Sequence, residues 1–117
     1  HNIEHELSAF YDIPHAAGLA IITPRWMDVV KDQKAKKLVQ YGKRVWNLEG
    51  TEGEIIKQSI QITFDFFRGL GVKMNLKDWD IDDKNFPIII ERLTNKAIGE
   101  IPLSRTQITE ILNNCLL

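Results

Sequence analysis

The chain has 117 residues, 44% of them hydrophobic and 26% charged, which is enough for one domain to bury a core unaided. Fifteen basic and 16 acidic residues leave a net charge of −1, so no electrostatic footprint for nucleic acid or a membrane surface is present. The longest nearly uncharged run, Ile13 to Pro24, is too short to span a bilayer, and the single Cys115 has no internal disulfide partner, so a reducing, cytoplasmic setting is the default. No signal peptide is visible and no initiator Met begins the chain, so these residues are expected to belong to a larger protein.

Apolar spacing is helical nearly throughout. Residues 2–11 place Ile3, Leu7 and Phe10 on one side of a short helix that Asp12-Ile13-Pro14 breaks. A second helix runs from about His15 to Val30 through Leu19, Ile22 and Trp26. Pro24 is expected to kink it or to end its first half, because proline removes an amide donor and crowds the preceding turn. Residues 33–47 carry Ala35, Leu38, Val39, Gly42, Val45 and Trp46 on one stripe, with lysines and an arginine opposite. After a turn at 47–50, Thr51-Glu52-Gly53-Glu54 is a capping box. The helix it opens has Ile56, Ile60, Phe64 and Phe67 on a stripe widened by Ile55, Ile62 and Phe66, which marks it as central. Gly69 and Gly71 close it, glycine being suited to a left-handed cap.

Lys73 to Asp83 is irregular. A helix resumes near Asp83 or Lys84 with Pro87 in its first turn, turns Phe86, Ile89, Ile90, Leu93 and Ala97 inward, and ends at Gly99. A second capping box, Ser104-Arg105-Thr106-Gln107, starts a last helix with Ile108, Ile111, Leu112 and Cys115 inward. The expected fold is all-α, one domain of about six or seven helices. Gly69-Leu70-Gly71 has neither the preceding strand nor the third glycine of a phosphate loop and is read as a helix end. Trp26, Trp46 and Trp79 are read as core or interface residues, and the Lys31 to Lys37 run as a solvated helix face.

The chemistry concentrates at one end. All three histidines fall in the first fifteen residues, spaced His1-x3-His5-x9-His15. Imidazole is the commonest side-chain metal ligand and the proton carrier best matched to neutral pH. His1 and His5, four apart, share a helix face and could chelate one ion; a hairpin at Pro14 could bring His15 back toward them. The zinc-protease pattern is absent, since Glu4 and Glu6 flank His5 and no Glu follows His1. Spacing alone leaves open a solvated or core-satisfied pair, and also copper chelation by a true N-terminal His1.

The segment from His1-Asn2-Ile3-Glu4-His5-Glu6-Leu7-Ser8 through Asp12-Ile13-Pro14-His15-Ala16-Ala17-Gly18 to Thr23-Pro24 resembles the second metal-binding signature of the iron-containing (group III) alcohol dehydrogenases, with the NAD(P)H-dependent butanol dehydrogenases as the nearest subgroup. The likeness continues through Gln40 to Asn47, Phe66 to Val72 and Pro102-Leu103-Ser104. It implies that residues 1–117 are the C-terminal helical metal-binding domain of the dehydroquinate synthase-like/iron-type alcohol dehydrogenase architecture, with the N-terminal nucleotide-binding domain lying outside these residues. The family's ion is held by an Asp and a His four apart on an upstream helix and by two His fourteen apart, which His1 and His15 match. His5 then falls beside the nicotinamide and substrate, as the candidate for proton handling and cofactor positioning.

The implied cofactors are a divalent metal, Fe2+ or Zn2+, and NAD(P)H. The implied substrates are small alcohols or aldehydes, and the complete protein is expected to be a homodimer without nucleic-acid or membrane partners. Two departures bear on this. No Asp-x3-His occurs in the chain, and Ala16 stands where many relatives have Gly. These residues alone are therefore expected to bind metal weakly and to transfer no hydride. The rival readings are a non-catalytic helical binding or assembly module with structural histidines, and a related polyol dehydrogenase or lyase.

Overall fold

The computed structural model of the chain describes residues 2–96 and 103–116. Among the described residues six α-helices follow in order: α1 (Asn2–Phe10), α2 (His15–Val30), α3 (Ala35–Val45), α4 (Glu52–Gly69), α5 (Phe86–Lys96) and α6 (Arg105–Leu116), with a short 3-10 helix at Leu76–Trp79. No strand occurs among the described residues. The all-α expectation therefore holds, and the helix boundaries fall within a few residues of those the apolar spacing predicts.

The caps explain where the helices begin and end. Thr51 Oγ1 accepts the amide of Glu54 at 3.2 Å and starts α4. At α6 the box is reciprocal: Gln107 N–H donates to Ser104 Oγ at 3.1 Å, and Ser104 N–H to Gln107 Oε1 at 2.9 Å. Gly71, at φ 93°, takes the left-handed position after α4 and donates to Arg68 O at 3.0 Å. The expected end of α5 at Ala97 and Gly99 lies outside the described residues.

Helix α2 is the hub. It packs against α1, α4 and α6, and it buries Ala20, Ile21, Ile22, Met27 and Val30. The main core joins Ile21 and Ile22 to Leu7 of α1, Ile89 and Leu93 of α5, and Ile111 and Leu112 of α6. A satellite cluster of Met27, Leu38 and Ile56 fastens α3 and α4 to the far end of α2. The sequence reading that put α4 at the centre is thus corrected. Its wide apolar stripe buries fully only Ile55, Ile56, Ser59 and Thr63, while Phe66 stays 49% exposed. Val45, read as inward, is 57% exposed. A wide stripe shows that a helix has an apolar face; how many neighbours cover that face is a tertiary matter.

Pro24 does not end α2, which runs unbroken from His15 to Val30. Donors gather on the carbonyls around it: the Thr23 hydroxyl reaches Leu19 O at 2.6 Å, and the Arg25 guanidinium reaches Ile21 O at 3.1 Å. The same guanidinium donates to Met74 O at 2.5 Å and to Asn75 Oδ1 at 2.7 Å and lies over the Phe64 ring. This is how the irregular segment after α4 is pinned, with Leu76 of the 3-10 helix fully buried. Burial lowers the Arg25 pKa from its ordinary value. Burial also pushes the Cys115 thiol up to about 12, so it behaves as a small apolar side chain without thiolate reactivity.

Candidate metal centre

The site begins with a tight reversal between α1 and α2. Tyr11 N–H bonds Leu7 O at 2.9 Å, and Ile13 N–H bonds Tyr11 O at 2.9 Å. Pro14 then enters α2 with an extended backbone, φ −55° and ψ 142°, and His15 is the first helical residue. Residues 4, 7 and 8 share one face of α1 by the three- and four-residue spacing, and this is the face the reversal turns toward α2.

On that face Glu4 is fully buried. Its Oε1 accepts from Ser8 Oγ at 2.5 Å, one turn further along α1. Its Oε2 lies 2.5 Å from Nδ1 of His15. Gly18, one turn into α2, completes the enclosure: a Cβ there would come within 2.7 Å of Glu4 Oε1. The His15 side chain is itself 61% exposed. It is therefore not a core histidine satisfied by packing. One ring nitrogen faces a buried anion, and the rest of the ring is at the surface.

That arrangement decides the donor chemistry of the ring. An ionised carboxylate only accepts, so Nδ1 must carry the proton between them, and in the neutral ring the lone pair then sits on Nε2. A carboxylate behind an imidazole is the recurrent support of metal-binding histidines. Imidazole nitrogen suits Fe(II) and Zn(II) alike. His15 is thus suited to be one ligand of the divalent ion that the family resemblance implies.

The other two histidines are only partly placed. His1 lies outside the described residues, and His5 is on α1 with its side chain outside the described set. Among the described residues no group of three His, Cys, Asp or Glu side chains could hold a metal ion. What the fold brings together is His15 and the first turn of α1, where Glu4 stands three residues after His1 and one before His5. Sequence reasoning passed over Glu4, treating it only as a flank of His5. The available signal was its spacing to Leu7 and Ser8, which puts a carboxylate on the apolar face of an amphipathic helix. Glu6 is buried as well, but it faces Arg92 of α5, whose Nε is 2.9 Å from Glu6 Oε2 and whose guanidinium covers the Phe10 ring. It ties α1 to α5 and stands apart from the His15 ring.

The architecture is thus a helical domain in which an imidazole at the start of α2 is set against a buried carboxylate of α1. The model of the Fe-containing alcohol dehydrogenase family, C-terminal, matches residues 1–116, and the chain belongs to that family. It is 37% identical over 119 residues to NADH-dependent butanol dehydrogenase B of Clostridium acetobutylicum, covering 95% of this chain and 30% of that protein. It is 36% identical over 102 residues to the NADPH-dependent aldehyde reductase YqhD of Escherichia coli, covering 86% of this chain and 26% of the reductase. The solved substrate- and cofactor-free form of that reductase superposes with a TM-score of 0.88 at 32% identity, over 98% of this chain and 32% of its own. A butanol dehydrogenase A structure from Thermotoga maritima gives the same TM-score at 30% identity, over 100% of this chain and 32% of the other. The chain thus spans about a third of the length of these relatives.

Proposed function

We propose that this chain is the C-terminal, metal-holding part of an NAD(P)H-dependent alcohol dehydrogenase or aldehyde reductase acting on short-chain alcohols and aldehydes. The observation that supports it is the exposed His15 ring set through Nδ1 against the buried Glu4 carboxylate, within a sequence signature that also contains His1 and His5. The printed activities of the relatives, butanol dehydrogenase and aldehyde reductase, set the substrate class.

In this reading His1 and His15 each contribute an imidazole nitrogen to a divalent ion, Fe2+ or Zn2+. An Asp and a further His from an upstream part of the complete protein fill out the ligand set. When bound, the ion polarises the substrate oxygen and the nicotinamide supplies or accepts the hydride. His5, one turn on from His1, stands beside the nicotinamide; it orients the ring and handles the proton that leaves the alcohol. Leu7 of the same helix is fully buried in the main core. The reading includes a homodimer in the complete protein, carried over from the resemblance, and a cytoplasmic setting, expected from the lone Cys115. None of the described helices is long and apolar enough to cross a membrane.

The test is elemental analysis of the full-length protein together with alcohol-dependent reduction of the nicotinamide. His1→Ala and His15→Ala should each abolish metal retention and turnover. His5→Ala should lower turnover while metal content stays at the wild-type level. Unchanged metal content in His15→Ala would defeat the reading and favour a helical assembly module with structural histidines.

A further inference from the structure

We infer that Glu4 is the positioning residue of the metal centre: its buried carboxylate selects the His15 tautomer that presents Nε2 to the ion, and Ser8 and Gly18 exist in this corner to hold that carboxylate. The inference rests on the metal-site reading of His15 and adds a residue that lies outside the ligand set.

Three observations carry it. First, Glu4 is fully buried, and a carboxylate is almost never buried without a paired or hydrogen-bonded reason. Second, its two oxygens face different neighbours: Oε1 accepts from the Ser8 hydroxyl at 2.5 Å on its own helix, while Oε2, with no hydrogen-bond donor of its own, lies as an ion pair 2.5 Å from His15 Nδ1 across the corner. The Ser8 contact fixes the rotation of the carboxylate, so the second oxygen has one direction left. Third, position 18 carries no side chain, and a Cβ there would meet Oε1 at 2.7 Å and the Glu4 Cγ at 3.0 Å. Gly18 lies inside a helix, where glycine costs about 1 kcal/mol against alanine. The space it leaves is filled by the carboxylate, which accounts for that cost.

The consequence is mechanical. An imidazole at the exposed start of a helix can rotate and can place its proton on either nitrogen. A proton on Nε2 would block the donor atom. With Nδ1 held against a fixed carboxylate, ring orientation and tautomer are set before the ion arrives.

The test uses the full-length protein and three variants: Glu4→Met, Glu4→Gln and His15→Ala. Met fills the buried volume without leaving an unpaired charge, a change that buried sites commonly tolerate. Glu4→Gln keeps a carbonyl acceptor for Nδ1–H, since Ser8 can turn its hydroxyl to Ile13 O, already 3.5 Å away. Zinc affinity is measured by competition with a chelator, and the thermal midpoint of the metal-free protein is recorded beside it. Glu4→Met should weaken zinc about 10–100-fold with the metal-free midpoint little changed, and Glu4→Gln should stay within about threefold of wild type. Wild-type zinc affinity in Glu4→Met, with His15→Ala losing zinc, would overturn the role of Glu4 and leave the metal site standing. Equal weakening in Glu4→Met and Glu4→Gln would overturn it too, because the acceptor would then contribute nothing. Zinc retained by His15→Ala would instead bring down the metal-site reading beneath it.

Discussion

The α1–α2 corner and the α3–α4 pair are built from the same material and use it in opposite ways. Each has a glycine on one helix facing a polar group on the other. In α3–α4, a Cβ at Gly42 would overlap the Ser59 hydroxyl and meet Ile55 Cγ2 at 2.7 Å, so the glycine lets two helices close on each other. The buried hydroxyls there turn back on their own helix: Ser59 donates to Ile55 O at 2.6 Å, and Thr63 to Ser59 O at 2.7 Å. Tyr41 and Trp46 finish the network, with Trp46 Nε1 donating to the Tyr41 hydroxyl at 2.9 Å. Thr63 Oγ1 also meets the Tyr41 hydroxyl at 2.7 Å, so these polar groups close on one another within the pair. In the corner, the buried group is a carboxylate, and it reaches across to an exposed imidazole. A buried hydroxyl that closes on its own backbone is packing; a buried carboxylate set against a surface imidazole is the arrangement on which the proposed metal site rests.

The contrast can be broken by mutation of the full-length protein. The largest effect should come from Ile55→Ala, which removes a side chain only 1% exposed between α3 and α4: about 2–5 kcal/mol of stability by denaturant unfolding, with metal affinity unchanged. Gly42→Ala should cost about 1–3 kcal/mol, because the new methyl meets the short, fully packed side chains of Ser59 and Ile55, and it too should leave the metal alone. Gly18→Ala should behave in the opposite sense. Its methyl meets the end of a side chain, so the carboxylate gives way, and the main loss should be about tenfold in zinc affinity, measured against a chelator. A Gly18→Ala protein that binds zinc like wild type but unfolds as readily as Gly42→Ala would erase the distinction between the two regions. The smallest effect sharpens it at the helix starts. Helix α4 opens on a Thr51 cap whereas α2 opens on Pro14 with no side-chain cap, so Thr51→Ala should cost about 1 kcal/mol and nothing in metal binding.

Much of this could be read along the chain, and the reasons are local ones. Ile108, Ile111, Leu112 and Cys115 point inward because the helical period puts them on one stripe, and all four are buried. The Ser104–Gln107 box and the glycine at 71 are short-range devices whose partners lie within a few residues. The family signature is likewise a matter of spacing, and it located His15 at the start of a helix after a proline turn. The rank of the helices was another matter. α4 has the wider apolar stripe, yet α2 is the hub, because covering a face depends on which other helices arrive there.

Glu4 shows the same division within one residue. Its place on the face of Leu7 and Ser8 follows from the helical period alone. Its burial and its partner follow from the angle at which residues 11–14 fold α2 back over α1, which brings a residue eleven positions away to 2.5 Å. Helix faces and caps depend on neighbours within about four residues, so a linear reading finds them. Which side chain a buried charge meets depends on the packing of whole helices, and only the folded arrangement specifies that.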